Sequence, residues 1–159
     1  MLEIIVLTPD DWPLWRQARL AALAEAPDAF GSKLSDWQGD GDREDRWRAR
    51  VDLPGSYNLI AMRDGVPVAM ASGIPGENPG TAELISMWVA PAARGQRVGD
   101  ALVERVTDWA VAQGAGQLML AVKAGNEPAI RLYRRHGFDF VPGAEIDADG
   151  ELPMVRPLH

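Results

Sequence analysis

Apolar positions fall in short runs separated by polar turns, and the period of each run assigns its element. "EIIVL" near the start reads as a short strand. "TPDD" behind it carries helix-start signals: Thr8 as cap, Pro9 in the first helical position and two carboxylates in the first turn. Trp12, Trp15, Arg19, Ala22 and Leu23 then recur at helical spacing, with Ala18 and Ala21 beside them. "EAPDAFGSKLSDWQGDGD" gathers Gly, Pro, Asp and Ser and reads as a loop, and "REDRWRARV" as a short second helix. "YNLIAM" and "VPVAMASGI" flank "RDG", where the Asp64-Gly65 pair signals a hairpin. "TAELISMWVA" is almost continuously apolar, the pattern of a central strand.

Helical periodicity returns with Val98, Leu102, Val106, Trp109 and Ala110 on one stripe and Gly114 as a stop. Asp100, Glu104 and Asp108 lie off that stripe and read as surface residues. "QLMLAV" is a strand, "NEPAIRLYRRH" a short helix capped by Asn126 and ended by Gly137, and "FDFV" and "LPMVRPL" are closing strands around "DADG". The expected order is β-α-α-β-β-β-α-β-α-β-β. Hairpins followed by strand–helix alternation imply an α/β fold with a mixed sheet and helices on its faces.

Composition adds boundaries. The 159 residues suit a single domain, 1–159, able to bury a core. There is no cysteine, which excludes disulfides, thiolate metal sites and cysteine-based covalent catalysis. His136 and His159 lack partners at ligand spacing, so no metal is expected. A net charge of −7 argues against nucleic acid as a partner. No apolar run approaches the ~20 residues that span a bilayer, and "MLEIIVLTPDD" is too short and acidic for a signal peptide. A soluble cytoplasmic protein with no membrane partner is the expectation.

The stretch "VAPAARGQRVGDALVERV" carries the chemistry. A strand that ends in a glycine-containing turn and enters a helix points several backbone N–H groups at one spot, where the helix dipole adds partial positive charge. Such a place binds anions, phosphates above all. Gly95 and Gly99 would let a ligand approach the backbone, and Arg94 and Arg97 add full charges. The plainer alternative is a solvated turn with two incidental arginines. Neither a P-loop nor a dinucleotide fingerprint is present, so spacing alone stops at a phosphate site.

At these residues the sequence resembles a known family. "MWVAPAARGQRVGDAL" is similar to the signature of the GNAT N-acetyltransferase superfamily, Q/R-x-x-G-x-G/A after a strand ending in V-x-P. Arg94 matches the first position and Gly99 the last, while Arg97 stands where the family has its middle glycine. "NEPAIRLYRRHGF" resembles the family's N-x-x-A-x-x-L-Y-x-x-x-G-F block through Asn126, Ala129, Leu132, Tyr133, Gly137 and Phe138. The likeness covers residues 57–142 well and the flanks only in element order.

The resemblance implies a GNAT-like fold with splayed fourth and fifth strands, and acetyl-CoA as acyl donor. Gly95, Gln96, Arg97, Val98, Gly99 and Asp100, with Arg94, would hold the diphosphate. Met87, Trp88 and Val89 would pair with the pantetheine arm, an N–H near Met87 would stabilise the oxyanion, and Asn126 would both cap its helix and approach the cofactor. Tyr133 would protonate the departing thiolate, and Glu83 would serve as base, directly or through water, for a primary amine of a small molecule or peptide. By alternation, Glu83 is expected on the same face as Ile85, Met87 and Val89. Phe30, Trp37 and Trp47 are expected as walls of the acceptor site, with Asp28 and Asp36 as partners for a cation. Homodimers are common in such a family. The alternative function is a catalytically degenerate acyl-CoA-binding sensor or scaffold.

Overall fold

The computed structural model describes residues 2–27 and 33–158. Its elements are β1 (Leu2–Val6), α1 (Trp12–Glu25), α2 (Glu44–Val51), β2 (Tyr57–Arg63), β3 (Val66–Pro75), β4 (Thr81–Val89), α3 (Val98–Ala112), β5 (Gln117–Lys123), α4 (Glu127–Arg135), β6 (Asp139–Phe140) and β7 (Glu151–Pro157). The order is the one expected from the periodicity. Local signals place several ends: Thr8 and Asp11 form a capping box with Pro9 in the first turn, Asn126 accepts from the amide of Ala129, and Gly114 and Gly137 have φ of +81° and +86°.

One mixed sheet runs β1-β2-β3-β4-β5-β7-β6. Every pairing is antiparallel except β4 with β5. Alternation along β2 and β3 sends side chains to two cores. Leu59, Ala61, Ala69 and Ala71 pack under α3 and α4, whereas Ile60 and Met70 join Trp15, Trp47 and Trp88 beneath α1 and α2. No helix among the described residues is long and apolar enough to cross a membrane.

Two irregularities mark β4. It pairs with β5 only from Thr81 to Glu83, opposite Gln117 to Met119, and beyond Glu83 the two strands part. It also carries a bulge. Met70 pairs with Trp88 but Ser72 with Ile85, so Ser86 and Met87 together oppose Ala71, and Ser86 has φ +57°.

The bulge corrects the expected alternation. Ala82 and Leu84 face the α3 side before it, and Met87 and Val89 face that side after it, so the parity inverts. Glu83 and Ile85 therefore lie on the face opposite Met87 and Val89. One extra residue in a strand reverses every side chain beyond it, and Ser86 carries no glycine-like mark that would announce it.

Candidate active site

The parting of β4 and β5 opens a cleft of about 1000 Å³, large enough for a small-molecule ligand. It is lined along β4 from Glu83 to Val89, along β5 by Ala121 to Lys123, by the turn into α3, by Asn126 and Tyr133 of the α4 segment, and by Arg19 and Glu25 of α1. Past Glu83 the β5-facing edge of β4 has no ladder partner among the described residues, leaving it open to an extended ligand.

At one end lies the turn before α3. Ala101 donates to the Arg97 carbonyl at 3.1 Å, but among the described residues none of the amides from Gly95 to Asp100 has a hydrogen-bond acceptor. Gly95 at φ +75° and Arg97 at φ +63° give the turn two left-handed residues, the geometry of a backbone anion nest. Arg97 thus takes a left-handed conformation that favours glycine, at a cost of about 1–2 kcal/mol for a residue with a Cβ.

The two glycines divide their tasks. A Cβ on Gly95 would meet nothing within 4 Å, which suits close ligand approach. A Cβ on Gly99 would sit 3.2–3.4 Å from Leu132, Met87 and Val89, so Gly99 serves the packing of α3 on β4 and α4.

Arg94 is engaged with protein. Its Nε donates to the Val89 carbonyl at 3.0 Å and its Nη2 to Glu25 at 2.7 Å, while the other oxygen of Glu25 accepts from Trp88 Nε1 at 3.1 Å. Nothing in the sequence pattern singles out Glu25, which ties α1 to the end of β4. Gln96 donates to the Ala92 carbonyl and is absent from the cleft lining. Asp100 does line the cleft, but its carboxylate turns to α4, where Arg135 donates at 2.9 and 3.0 Å and His136 Nε2 lies 2.8 Å away. Burial works to raise the Asp100 pKa, and the hydrogen bonds from His136 and Arg135 outweigh it, leaving the group below the ordinary carboxylate range. Glu104 extends this network to His136 Nδ1 at 2.5 Å and Arg156 at 2.8 Å, so neither acid is the simple surface residue its helical position suggested.

At the middle of the cleft, Tyr133 is buried with its ring edge-on to Phe138, and its hydroxyl has no hydrogen-bond partner among the described residues. Burial raises its pKa well above that of free tyrosine, so it stays protonated through the neutral range. Glu83 is half-buried, and desolvation, with the charges of Glu77 and Glu151, raises its pKa.

Two of the aromatic walls expected on the acceptor side, Trp37 and Trp47, do not line the cleft. Trp47 is fully buried among α1, α2 and the sheet, with Nε1 donating to Asp42 at 2.8 Å, and Trp37 packs on it at 4.4 Å between centroids. Asp36 is exposed and accepts from the Lys33 amide, away from the cleft. Phe30 and Asp28 lie outside the described residues.

A mixed sheet that opens between its parallel strands, with an amide-lined turn at the opening, leaves a cleft that suits an extended ligand with an anionic end. The family comparison agrees. The model of the acetyltransferase (GNAT) family matches residues 19–138, and the chain belongs to that family.

The chain is 36% identical over 102 residues to an IAA acetyltransferase of Azospirillum brasilense, covering 63% of this chain and 67% of that protein. It is 29% identical over 145 residues to a mycothiol acetyltransferase of Renibacterium salmoninarum but spans only 40% of that protein's length. Among solved structures, a GCN5-related N-acetyltransferase from Kribbella flavida superposes with TM-score 0.74 at 26% identity over 99% of this chain and 98% of that one. A Thermoplasma acidophilum N-acetyltransferase in complex with coenzyme A superposes with TM-score 0.71 at 17% identity, covering 99% of each chain.

Proposed function

We propose that this chain transfers the acetyl group of acetyl-CoA directly to a primary amine of a small molecule or peptide. The observation that carries the reading is the run of unpaired amides from Gly95 to Asp100 at one end of the gap between β4 and β5. Those donors suit a diphosphate, and the open edge of β4 suits the amides of a pantetheine arm. Acetyltransferase relatives, and the coenzyme A held by the Thermoplasma protein, support the choice of donor.

In this reading the Met87 N–H, beside the bulge, donates to the thioester carbonyl as negative charge develops there. The amine nitrogen attacks the carbonyl carbon, a C–N bond forms, and the C–S bond then breaks. Glu83, directly or through a water, takes the proton that the amine loses. Tyr133 protonates the departing thiolate, which a free thiol's pKa of about 8.5 makes worthwhile near neutral pH. Glu83 and Tyr133 line the same cleft, which favours an enzyme over a degenerate binding domain.

Release of free thiol from acetyl-CoA across a panel of amines tests the reading, and thermal stabilisation by CoA, set against ATP and NAD, tests the donor. Binding of CoA without turnover on any amine would return the chain to the sensor class. A base must be ionised to act, so kcat/KM is expected to fall with decreasing pH through a midpoint above the ordinary glutamate value of about 4.3. Glu83→Gln is expected to lower kcat/KM by roughly 10²-fold at neutral pH and to flatten that acidic limb. A variant that keeps both the rate and the limb removes Glu83 from the base role.

A further inference from the structure

Arg50 is the most unusual cation of the described residues. Its guanidinium is largely withdrawn from water, and every hydrogen bond it makes goes to a neutral group: Nη1 to Asn58 Oδ1 at 3.0 Å, Nη2 to Ser72 Oγ at 3.1 Å and to Ser86 Oγ at 3.0 Å. Asn58 and Ser72 are themselves buried. The guanidinium lies over the Trp15 ring at 4.5 Å from its centroid, and no ion pair with Arg50 exists among the described residues. A partly buried charge without a counter-charge is costly, and in a chain of net charge −7 it is no by-product of a basic composition.

The surroundings direct that charge toward the cleft. Ser86, the bulge residue that Arg50 holds, lines the cleft. Trp15, on which Arg50 stacks, stands one helical turn before Arg19 on α1, and Arg19 also lines the cleft with its Nη1 shielded from solvent. Desolvation, then repulsion by Arg19, lowers the Arg50 pKa to about 10, and desolvation lowers that of Arg19. One guanidinium, that of Arg19, thus lines the cleft, and a second, that of Arg50, lies behind the cleft residue Ser86. Glu25, the α1 carboxylate that faces the same cleft, is bonded to Arg94 and Trp88.

We infer that the part of the cleft wall formed by Arg19, with Arg50 behind the Ser86 bulge, receives a carboxylate of the acceptor, so that the acceptor is an amino acid rather than a purely cationic amine. The inference rests on the acetyl-transfer reading and names its substrate class. A planar carboxylate suits the fork of a guanidinium and brings a negative charge near Arg50, which has no ion pair among the described residues. In this inference the amine is deprotonated near Glu83, and a guanidinium rather than a carboxylate selects the acceptor.

The test compares glycine, the eighteen L-α-amino acids that carry a primary α-amine, and three ω-amino acids, each with its own carboxamide, on the protein saturated with acetyl-CoA. The amide keeps the amine and side chain and removes only the anionic charge. For the best acceptor, the acid is expected to exceed its amide in kcat/KM by about 10- to 100-fold, the range for a hydrogen bond to a charged group. Arg19→Met is expected to bring that ratio to near one through KM, and Arg19→Lys, keeping a cation, to restore part of it. Equal use of acid and amide by the wild-type protein, or an undiminished preference in Arg19→Met, overturns the inference.

A second readout separates this failure from that of acetyl transfer. If no amine releases thiol although CoA binds, the transfer reading fails, and ligand-dependent thermal shifts of the CoA-bound protein decide the carboxylate site. Acids that shift the melting temperature more than their amides uphold it, and equal shifts overturn it.

Discussion

Tyr133→Phe is expected to lower kcat by about 10²-fold or more while leaving CoA affinity close to that of the parent protein. The substitution removes one oxygen from a buried ring and leaves its edge-on contact with Phe138 in place. That oxygen has no hydrogen-bond partner among the described residues, so the fold loses little with it. Any large effect must then come from the reaction. Burial keeps the phenol protonated well beyond the neutral range, so no limb of the pH profile is expected from Tyr133 itself. The checks are steady-state kcat, CoA titration and a melting curve run side by side. A kcat equal to the parent's would make Tyr133 a packing residue at the cleft wall.

Trp47→Ala is expected to act on the fold instead. Trp47, on the buried face of α2, is wholly buried, packs against Trp37 and donates to Asp42, which also accepts from Arg16 at 2.8 and 2.6 Å. Truncating a buried tryptophan costs about 3–5 kcal/mol, from lost burial and from the cavity left behind. In a chain of this size that lowers the melting temperature by about 10 °C or more. Thermal unfolding followed by circular dichroism measures it. A residue forming the wall of an acceptor site would give the opposite pattern, a raised KM with an almost unchanged melting temperature. Such an outcome would reinstate the placement suggested by the sequence.

What could be read from the sequence tracks the range of the interactions involved. The strands and helices were legible because each is written locally, in the alternation of β2 and β3, the stripe from Val98 to Ala110 and the cap at Asn126. The turn from Arg94 to Asp100 and the Tyr133 segment were legible because their spacing resembles family blocks, and both line the cleft. The bulge at Ser86 was not, because an extra residue in a strand becomes visible only against its partner's register, and its loss put Met87 and Val89 on the wrong face relative to Glu83. Arg19, Glu25 and Arg50 were likewise out of reach as site residues, since their partners lie on other elements: Trp88 and Arg94 for Glu25, and Ser72 and Ser86 for Arg50. One signal for the last was present. Asn58 and Ser72 are polar residues within the apolar middle of adjacent strands, and buried polar groups on neighbouring strands require a common partner.

The central claim is that the start of α3 grips a diphosphate with its own backbone. Titrating CoA into isotopically labelled protein and tracking the backbone amide resonances tests it most directly. The amides of Gly95 to Asp100 are expected to move together, saturating with the same affinity that calorimetry reports, and pantetheine, which lacks the diphosphate, is expected to leave them in place. Saturable CoA binding that leaves those six amides unshifted would contradict the account.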